Sequence, residues 1–203
     1  MRLLVIGAGG HAKVVVDTAI AAGWDIAGIV GMPGDEPEIL GYGVSQDAAG
    51  IEADAFIVAI GKNRTRAAYF DQFLATGMPA GTVIHPSAVI SSDAVIGNGS
   101  FVAAGAIVYT SARVGVDTVI NTGCTIDHDC VIGDHALVGP LACLCGGVQV
   151  GDGSLIGAGS TNIPARSIAE WSVVGAGATV VSDLPAGSLA VGVPARVVRT
   201  TEE

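Results

Sequence analysis

The sequence predicts two domains, a small α/β domain followed by a parallel β-helix, and three observations lead to this fold class. Residues 1–82 alternate short aliphatic runs with helical segments. From Ile84 onwards an aliphatic residue recurs at every sixth position. The composition suits a narrow aliphatic core, because the chain has 30 glycines while aromatic residues make up only 4% of it. We therefore expect domains at residues 1–82 and 83–203.

The first domain has the pattern of a parallel sheet with helical connections. Continuous apolar runs at 3–6, 26–30 and 55–60 predict buried strands. Helical segments at 12–22 and 64–76 separate or follow them, and each stops at a glycine, Gly23 or Gly77. Strands that are separated by helices imply crossover connections and hence a small α/β domain.

The second domain is built on a hexapeptide repeat. Stepping by six from Ile84 to Val180 gives seventeen positions, of which sixteen are aliphatic and one is Asn162. A small residue follows four positions later, and glycine recurs one position later. This repeat is typical of a β-helix in which three hexads form one triangular coil, and coils stack at about 4.8 Å.

The repeat also predicts local details of the coils. The aliphatic residue points into the prism, the small residue fills the space beside the corner, and glycine supplies the positive backbone angles of the corner. Asn162 occupies an aliphatic slot and Arg166 a small one, so we expect an irregular coil around 161–167. Residues after Val180 lose the repeat and are expected to cap the last coil.

Charge and composition exclude several function classes. The chain has 9 basic and 19 acidic residues and a formal net charge of −10, so a nucleic-acid partner is not expected. It has no apolar stretch of 18 residues, so membrane insertion is not expected either. Four cysteines without a secretory signal favour reduced thiols and a cytoplasmic location.

The first strand-to-helix turn has a phosphate-binding pattern. Gly7, Gly9 and Ala12 match G-x-G-x-x-[G/A], the Rossmann-like loop that presents backbone N–H groups to a phosphate. A dinucleotide site also needs an acid at the end of the second strand, but that strand ends at Gly31-Met32 and Asp35 lies beyond it. A nucleoside diphosphate therefore fits better than a dinucleotide, and a tight turn without a ligand is the alternative.

The histidines and cysteines do not predict a metal site. The histidines are His11, His85, His128 and His135. Only the last two lie on the main body of the prism, whereas a hexapeptide-repeat zinc hydratase needs three imidazoles. Cys124 and Cys130 fall in the small interior slot, and Cys143 and Cys145 lack C-x-x-C spacing.

His128 is the strongest catalytic candidate. It follows Ile126 by two residues, so it projects outward near a corner, and its neighbours Asp127 and Asp129 could each accept an imidazole N–H. One coil further along the chain is Gly146, whose N–H could face the same point. A base beside an N–H donor is the minimum equipment for acyl transfer, and a solvated corner histidine is the alternative.

His135 resembles His128 in type but not in its expected role. Counting one coil in each direction from His135 reaches Asp117 and Gly153, and this column adds no evident chemistry. We therefore expect His135 to be a solvated surface residue.

Five motifs carry a resemblance to a known family. They are GAGGHAK (7–13), IGKNR (60–64), HPSA (85–88), HDCVIGD (128–134) and GVPA (192–195). In this order, and over essentially the whole chain, they resemble the bacterial sugar acetyltransferases of the PglD/NeuD type. The resemblance implies a homotrimer of left-handed β-helices that binds acetyl-CoA between adjacent prisms, without a metal. It implies N-acetylation of a nucleotide-linked 4-amino-4,6-dideoxy sugar.

The resemblance also implies roles for particular residues. His128 would be the general base, Asp129 its partner, and the Gly146 N–H the donor to the oxyanion. Nucleotide-sugar contacts are expected at Gly7, Gly9, Gly10, His11, Asn63 and Arg64. Acetyl-CoA contacts are expected at Gly146, Gly147, Gly157, Gly175 and Arg196.

Two departures from the family pattern leave alternatives open. Leu137 stands where the family commonly has a second histidine, so a contact to the thioester is lost or supplied otherwise. No Asp-Asp pair follows the second strand, which speaks against UDP and leaves GDP and dTDP open. One rival function is O-acetylation of a sialic acid or polysaccharide hydroxyl with the same residues. Another is a non-catalytic protein that binds a sugar nucleotide.

Overall fold

The N-terminal domain is built on a five-stranded sheet. The computed structural model describes residues 1–200, and its first domain contains β1 (Arg2–Ile6), α1 (Gly10–Ala21), β2 (Asp25–Val30), β3 (Glu38–Ile39), β4 (Tyr42–Ser45), β5 (Ala55–Val58) and α2 (Asn63–Leu74). The strand order is β3-β4-β2-β1-β5, and β1 pairs in parallel with both β2 and β5. The parallel α/β prediction is confirmed, whereas the short antiparallel pair β3–β4 was not predicted.

From Val83 the chain winds into a left-handed β-helix of seventeen two-residue strands. They are β6 (Val83–Ile84), β7 (Val89–Ile90), β8 (Val95–Ile96), β9 (Phe101–Val102), β10 (Ile107–Val108), β11 (Arg113–Val114), β12 (Val119–Ile120), β13 (Thr125–Ile126), β14 (Val131–Ile132), β15 (Leu137–Val138), β16 (Cys143–Leu144), β17 (Gln149–Val150), β18 (Leu155–Ile156), β19 (Thr161–Asn162), β20 (Ser167–Ile168), β21 (Val173–Val174) and β22 (Thr179–Val180). The β-helix prediction is confirmed.

Three parallel sheets form the faces of the prism. Face 1 contains β6, β9, β12, β15, β18 and β21; face 2 contains β7, β10, β13, β16, β19 and β22; face 3 contains β8, β11, β14, β17 and β20. Partners on one face are 18 residues apart, as in Val108 opposite Ile126. An antiparallel pair, β23 (Ser188–Val191) and β24 (Arg196–Thr200), extends face 1. The expected domain end at 203 falls on residues 201–203, which are outside the described range.

The predicted aliphatic positions form the core of the prism, and the coil around Asn162 is regular. Asn162 is fully buried and pairs in register with Leu144 and Val180. Its amide fits an aliphatic slot because Nδ2 donates to the Cys143 carbonyl over 3.4 Å. Arg166 avoids the interior by reaching Asp183 over 3.5 Å. The predicted irregular coil at 161–167 is therefore wrong.

The glycine after each aliphatic residue has a different role from the one predicted. A Cβ on Gly115 or Gly133 would lie 2.7 Å from a backbone nitrogen of the next coil, so these glycines permit close stacking. Positive φ occurs two residues later, at positions that also accept other side chains, such as Asp129 (φ 60°) and His135 (φ 56°). Glycines such as Gly115 thus serve coil stacking, while the predicted positive φ of the turns is supplied in other coils by glycines such as Gly99 (φ 75°) and Gly105 (φ 69°).

Face 1 carries the α/β domain. Val83, Phe101 and Val119 project from this face into one hydrophobic cluster with Val15 and other residues of the first domain. The helix α2 packs on the corner between faces 3 and 1. Among residues 1–200, no helix is long and apolar enough to cross a bilayer.

A buried arginine joins the two domains at that corner. Arg66 of α2 is 1% exposed, and its Nε lies 3.2 Å from the equally buried Asp117 carboxylate. Its Nη2 donates to the His135 and Ala136 carbonyls over 2.6 and 3.1 Å. His135 Nδ1 lies 2.8 Å from the same carboxylate. The expectation that His135 is a solvated residue in an uninformative column is therefore wrong.

Candidate active site

A cavity of about 520 Å³ opens beside the glycine loop. It is lined by Gly7, Ala8, Gly9, Gly10, His11, Met32, Asp35, Ala59, Ile60, Gly61, Lys62 and Thr65. Gly7 must be glycine, because its φ is +111° and a Cβ would lie 2.9 Å from the Ala59 carbonyl. Neither α1 nor α2 has a side-chain cap at its start. Backbone N–H groups of both first turns therefore remain available to an anion.

His11 enters this cavity as a neutral ring. Burial, assisted by the positive charge of Arg66, lowers the pKa of His11 from 6.5 to about 4. The ring lies edge-on to Phe101, with 5.5 Å between the centroids. Its Nε2 is buried and has no hydrogen-bond partner within residues 1–200. His11 therefore supplies no positive charge to the cavity at neutral pH.

Asp35 also lines the cavity, although the sequence suggested that no acid stands at the end of β2. A turn over 32–35 folds the side chain back, so that Oδ2 accepts the N–H of Met32 over 2.8 Å and that of Ala8 over 3.3 Å. The signal was the Pro33-Gly34 pair, which marks a tight turn directly after the strand. The cavity beside the glycine loop thus contains a carboxylate that sequence spacing did not place there.

Asn63 and Arg64 are directed to the β-helix instead of the cavity. Asn63 Nδ2 donates to the Gly153 and Ser154 carbonyls over 3.0 and 3.1 Å. The Arg64 guanidinium lies 4.3 Å from the ring centroid of Trp171. The structure therefore brings Gly7, Gly9, Gly10 and His11 together, as expected, and places these two residues in the domain interface.

His128 lies on the corner between faces 2 and 3, and Asp129 orients its ring. His128 Nδ1 is 2.8 Å from Asp129 Oδ2, and the two side chains are 57% and 67% exposed. Asp127 binds the backbone instead, because its Oδ1 accepts the His128 N–H over 2.7 Å. The hydrogen bond to Asp129 and the nearby charge of Asp127 raise the pKa of His128 above its usual value. This leaves Nε2 as the ring nitrogen that faces solvent.

Gly146 lies directly against the imidazole, one coil further along. A Cβ at this position would lie 2.5 Å from His128 Nε2, so a larger residue would displace the ring. The Gly147 N–H joins the coils by donating to the His128 carbonyl over 2.9 Å. At the equivalent place two hexads earlier, the Asp134 N–H donates to the side-chain carboxylate of Asp152, so the N–H group at this position points outward. The Gly146 N–H can likewise bind an external oxygen beside the ring.

The residues expected to contact acetyl-CoA do not lie together within one chain. Gly146 and Gly147 lie on the corner between faces 2 and 3, whereas Gly157 and Gly175 follow face 1. A Cβ on Gly157 would lie 2.5 Å from Ala176 N, and one on Gly175 would lie 2.7 Å from Val191, so coil stacking already explains both glycines. Arg196 is an exposed residue of β24 and donates to the adjacent Ala195 carbonyl.

The thiols near this corner are not suited to covalent catalysis. Cys130 is fully buried, as predicted, and burial raises its pKa. Burial likewise raises the pKa of Cys124 to about 12. Within residues 1–200 no three His, Cys, Asp or Glu side chains are grouped to hold a metal ion.

The comparisons with known proteins agree on one family. Residues 2–73 match the PglD N-terminal domain model, and residues 129–161 match the bacterial transferase hexapeptide model of six repeats. The comparison with curated protein sequences gave no match.

Solved structures resemble the chain over nearly its whole length. A perosamine N-acetyltransferase from Caulobacter crescentus, solved with CoA and GDP-perosamine, is 36% identical with a TM-score of 0.94 and covers 98% of this chain and 97% of its own. The acetyltransferase domain of PglB from Neisseria gonorrhoeae is 34% identical with a TM-score of 0.90, covering 97% and 99%. The same domain has been solved with acetyl coenzyme A.

Proposed function

Since the chain belongs to the hexapeptide-repeat sugar acetyltransferases of the PglD type, we propose that it N-acetylates a nucleotide-linked 4-amino-4,6-dideoxy sugar with His128 as general base. Acetyl-CoA is the acetyl donor. The observation that carries the catalytic part is the exposed His128–Asp129 pair, 2.8 Å apart, with the Gly146 backbone against its ring. A GDP-linked sugar is the first choice, because the 36% identical acetyltransferase was solved with GDP-perosamine.

The site can perform the transfer without a covalent enzyme intermediate. The sugar amine attacks the thioester carbonyl, and His128 Nε2 removes the proton that the nitrogen loses as the amide forms. Asp129 accepts the Nδ1–H and stabilises the imidazolium, while the Gly146 N–H donates to the oxyanion. The carbon–sulfur bond then breaks, and CoA leaves as a thiolate that takes up the proton.

We also propose that the enzyme is a homotrimer whose active site is shared between subunits. The α/β domain covers face 1, whereas His128 lies on the opposite corner, between faces 2 and 3. The nucleotide cavity and the base of one chain therefore face different sides of the prism. Exposed aliphatic side chains on faces 2 and 3, Val89, Val95 and Val131, offer apolar surface to a second copy. We place the enzyme in the cytoplasm, where acetyl-CoA is available.

Acceptor chemistry tests this function. Release of CoA thiol would be followed with GDP-, UDP- and dTDP-linked 4-amino-4,6-dideoxyhexoses, and with the matched sugars that carry a 4-hydroxyl. We expect thiol release with an amino sugar and little with its hydroxyl counterpart. Preference for the hydroxyl would favour O-acetylation, and no release with any acceptor, at concentrations where nucleotide binding is measurable, would favour a non-catalytic binding protein.

A further inference from the structure

The peptide that carries the Gly146 N–H is held from inside the prism. Its carbonyl belongs to Cys145, and the thiol of Cys130 donates to that oxygen over 3.3 Å. Cys130 occupies a small interior slot and is fully buried. The Val148 N–H donates to the same carbonyl, also over 3.3 Å. Two long hydrogen bonds therefore fix this carbonyl, and one of them comes from a side chain to which the reaction has assigned no role so far.

The direction of the Cys145 carbonyl determines the direction of the Gly146 N–H. The peptide between the two residues is trans, so its C=O and N–H point in opposite directions. Because the carbonyl turns inward to Cys130, the N–H turns outward, to the side on which the His128 ring lies against Gly146. The thiol of Cys130 thus acts on the proposed oxyanion donor through one rigid peptide plane.

A second peptide of the prism is held in the same way, and its outer end is occupied. The buried Ser100 Oγ donates to the Gly115 carbonyl over 2.8 Å. The N–H of this peptide belongs to Val116 and donates to the Asp134 carboxylate over 2.8 Å. An inward carbonyl bound to a small-slot side chain therefore accompanies an outward N–H bound to an anionic oxygen.

A third peptide, one coil further along, repeats the arrangement. The buried Thr118 Oγ1 donates to the Gly133 carbonyl over 2.9 Å. The N–H of this peptide belongs to Asp134 and donates to the Asp152 carboxylate over 2.9 Å. The pairing of an inner donor with an outer anionic oxygen is thus a recurrent feature of this β-helix, at the same hexad position as Cys145 and Gly146.

At Gly146 the outer oxygen does not come from the corresponding column of this chain. Val116 and Asp134 each donate to a carboxylate 18 residues further along. The residue 18 positions after Gly146 is Pro164, whose side chain has no hydrogen-bond acceptor. The oxyanion of the reacting acetyl group can therefore take the place that a carboxylate oxygen takes on the other two peptides.

We propose that Cys130 is a positioning residue for acetyl transfer, whose buried thiol holds the Cys145–Gly146 peptide so that the Gly146 N–H points at the oxyanion. This inference rests on the proposed acetyltransferase function and adds one residue to it. Cys130 touches neither substrate nor the reacting atoms, and it forms no covalent intermediate. Its hydrogen bond also polarises the peptide, which strengthens the N–H as a donor.

Acetyl transfer by the full-length protein tests the proposal. The acceptor would be the GDP-, UDP- or dTDP-linked 4-amino-4,6-dideoxyhexose that wild type acetylates fastest, and loss of the thioester absorbance of acetyl-CoA would be followed. We expect Cys130→Ala to lower kcat about tenfold, which is part of the roughly 10²–10³-fold that loss of a whole oxyanion donor costs. Both KM values should stay within about twofold, because the contact matters in the transition state.

A serine at the same position should rescue the reaction. Cys130→Ser keeps a donor in the slot, as Ser100 does on its own coil, so its kcat should lie within about threefold of wild type. In both variants the rise of kcat/KM on the acid side should stay at the wild-type pH, because the base is unchanged. A general distortion of this corner would move that rise as well.

Cys124→Ala is the matched control. Cys124 is also a fully buried thiol in a small interior slot, but it lies one hexad earlier and its sulfur contacts the backbone of Asn121. Its removal should lower Tm about as much as Cys130→Ala does, since each leaves a similar small cavity, while kcat stays near wild type.

The outcomes separate this inference from the function on which it rests. Equal kcat values for Cys130→Ala and Cys124→Ala would overturn the role of Cys130 and leave the acetyltransferase function intact, and so would a folded Cys130→Ser that is as slow as Cys130→Ala. If Cys130→Ser did not fold, the comparison of the two alanine variants would still decide. If wild type acetylated none of the three amino sugars, the proposed function itself would be overturned.

Discussion

Two histidine–carboxylate pairs lie on neighbouring corners of the same prism, and they differ in almost everything except geometry. His128 and Asp129 are 2.8 Å apart, as are His135 and Asp117. The side chains of the first pair are 57% and 67% exposed, whereas those of the second are 18% and 1% exposed. A hydrogen bond of the right length therefore does not by itself make a histidine a catalytic base, because the ring must also be accessible to substrate.

The difference between the two pairs comes from the other domain. The helix α2 covers the corner between faces 3 and 1, where Arg66 gives Asp117 a second cationic partner. Nothing in residues 1–200 covers the His128 ring in the same way, and Gly146 keeps the adjacent coil free of a side chain. One corner is thus used for domain attachment, and the other remains open for chemistry.

Removal of Arg66 should have the largest effect on stability. Arg66→Met leaves Asp117 buried without its guanidinium and leaves several carbonyls unpaired. Breaking a buried ion pair in this way costs about 3–5 kcal/mol, which for a chain of this size lowers Tm by roughly 6–20 °C. Thermal unfolding followed by circular dichroism would measure the shift.

A surface arginine gives the matched control. Arg2 lies 3.7 Å from a 92% exposed Glu52, so Arg2→Met should change stability by less than about 1 kcal/mol. If Arg66→Met lowered Tm no more than Arg2→Met does, the buried contact would not hold the domains together.

Replacing each histidine should separate catalysis from stability. His128→Ala should lower turnover at least about a hundredfold, the usual contribution of a general base, while Tm and nucleotide binding stay near wild type. His135→Ala should lower Tm by removing a partner of buried Asp117, at a cost of about 1–3 kcal/mol, and turnover per folded molecule should change little. Steady-state thiol release and thermal unfolding would be measured on both variants. The reverse outcome would exchange the roles of the two corners.

The sequence predicted what depends on the period of the chain. Residues six apart share a slot, so the core of Ile126, Ile132 and Val138 followed directly. Residues 18 apart share a column, so Gly146 could be placed on His128 before any coordinates were considered. The fold could be predicted for the same reason, whereas the spacing left Asp127 and Asp129 open as partners of His128 and only the family resemblance implied Asp129.

What depends on contact between the domains could not be predicted in this way. His135 and Asp117 share a column in the sequence, but their burial requires α2 to lie on that corner, and the hexad repeat contains no information about α2. Asn63 and Arg64 were expected at the nucleotide for the same reason, since the repeat does not show that they contact the β-helix. The stacking role of Gly115 was missed because sequence shows which residue turns and does not show how near the next coil lies.

The smallest but most specific expected effect concerns the pH dependence of kcat/KM, whose rise on the acid side should reflect the exposed His128–Asp129 pair. The hydrogen bond that His128 donates to Asp129, followed by the charge of Asp127, raises the pKa of His128. A general base acts in its neutral form, so kcat/KM should rise with pH through this pKa and level off above it.

Asp129→Asn lowers the pKa toward its usual value, and the rising limb should move to lower pH while the plateau falls, because the ring loses its orienting partner. Asp127→Asn should move the limb in the same direction by less, since it contributes charge and no bond to the ring. An unmoved limb in Asp129→Asn would mean that the titrating base is another group.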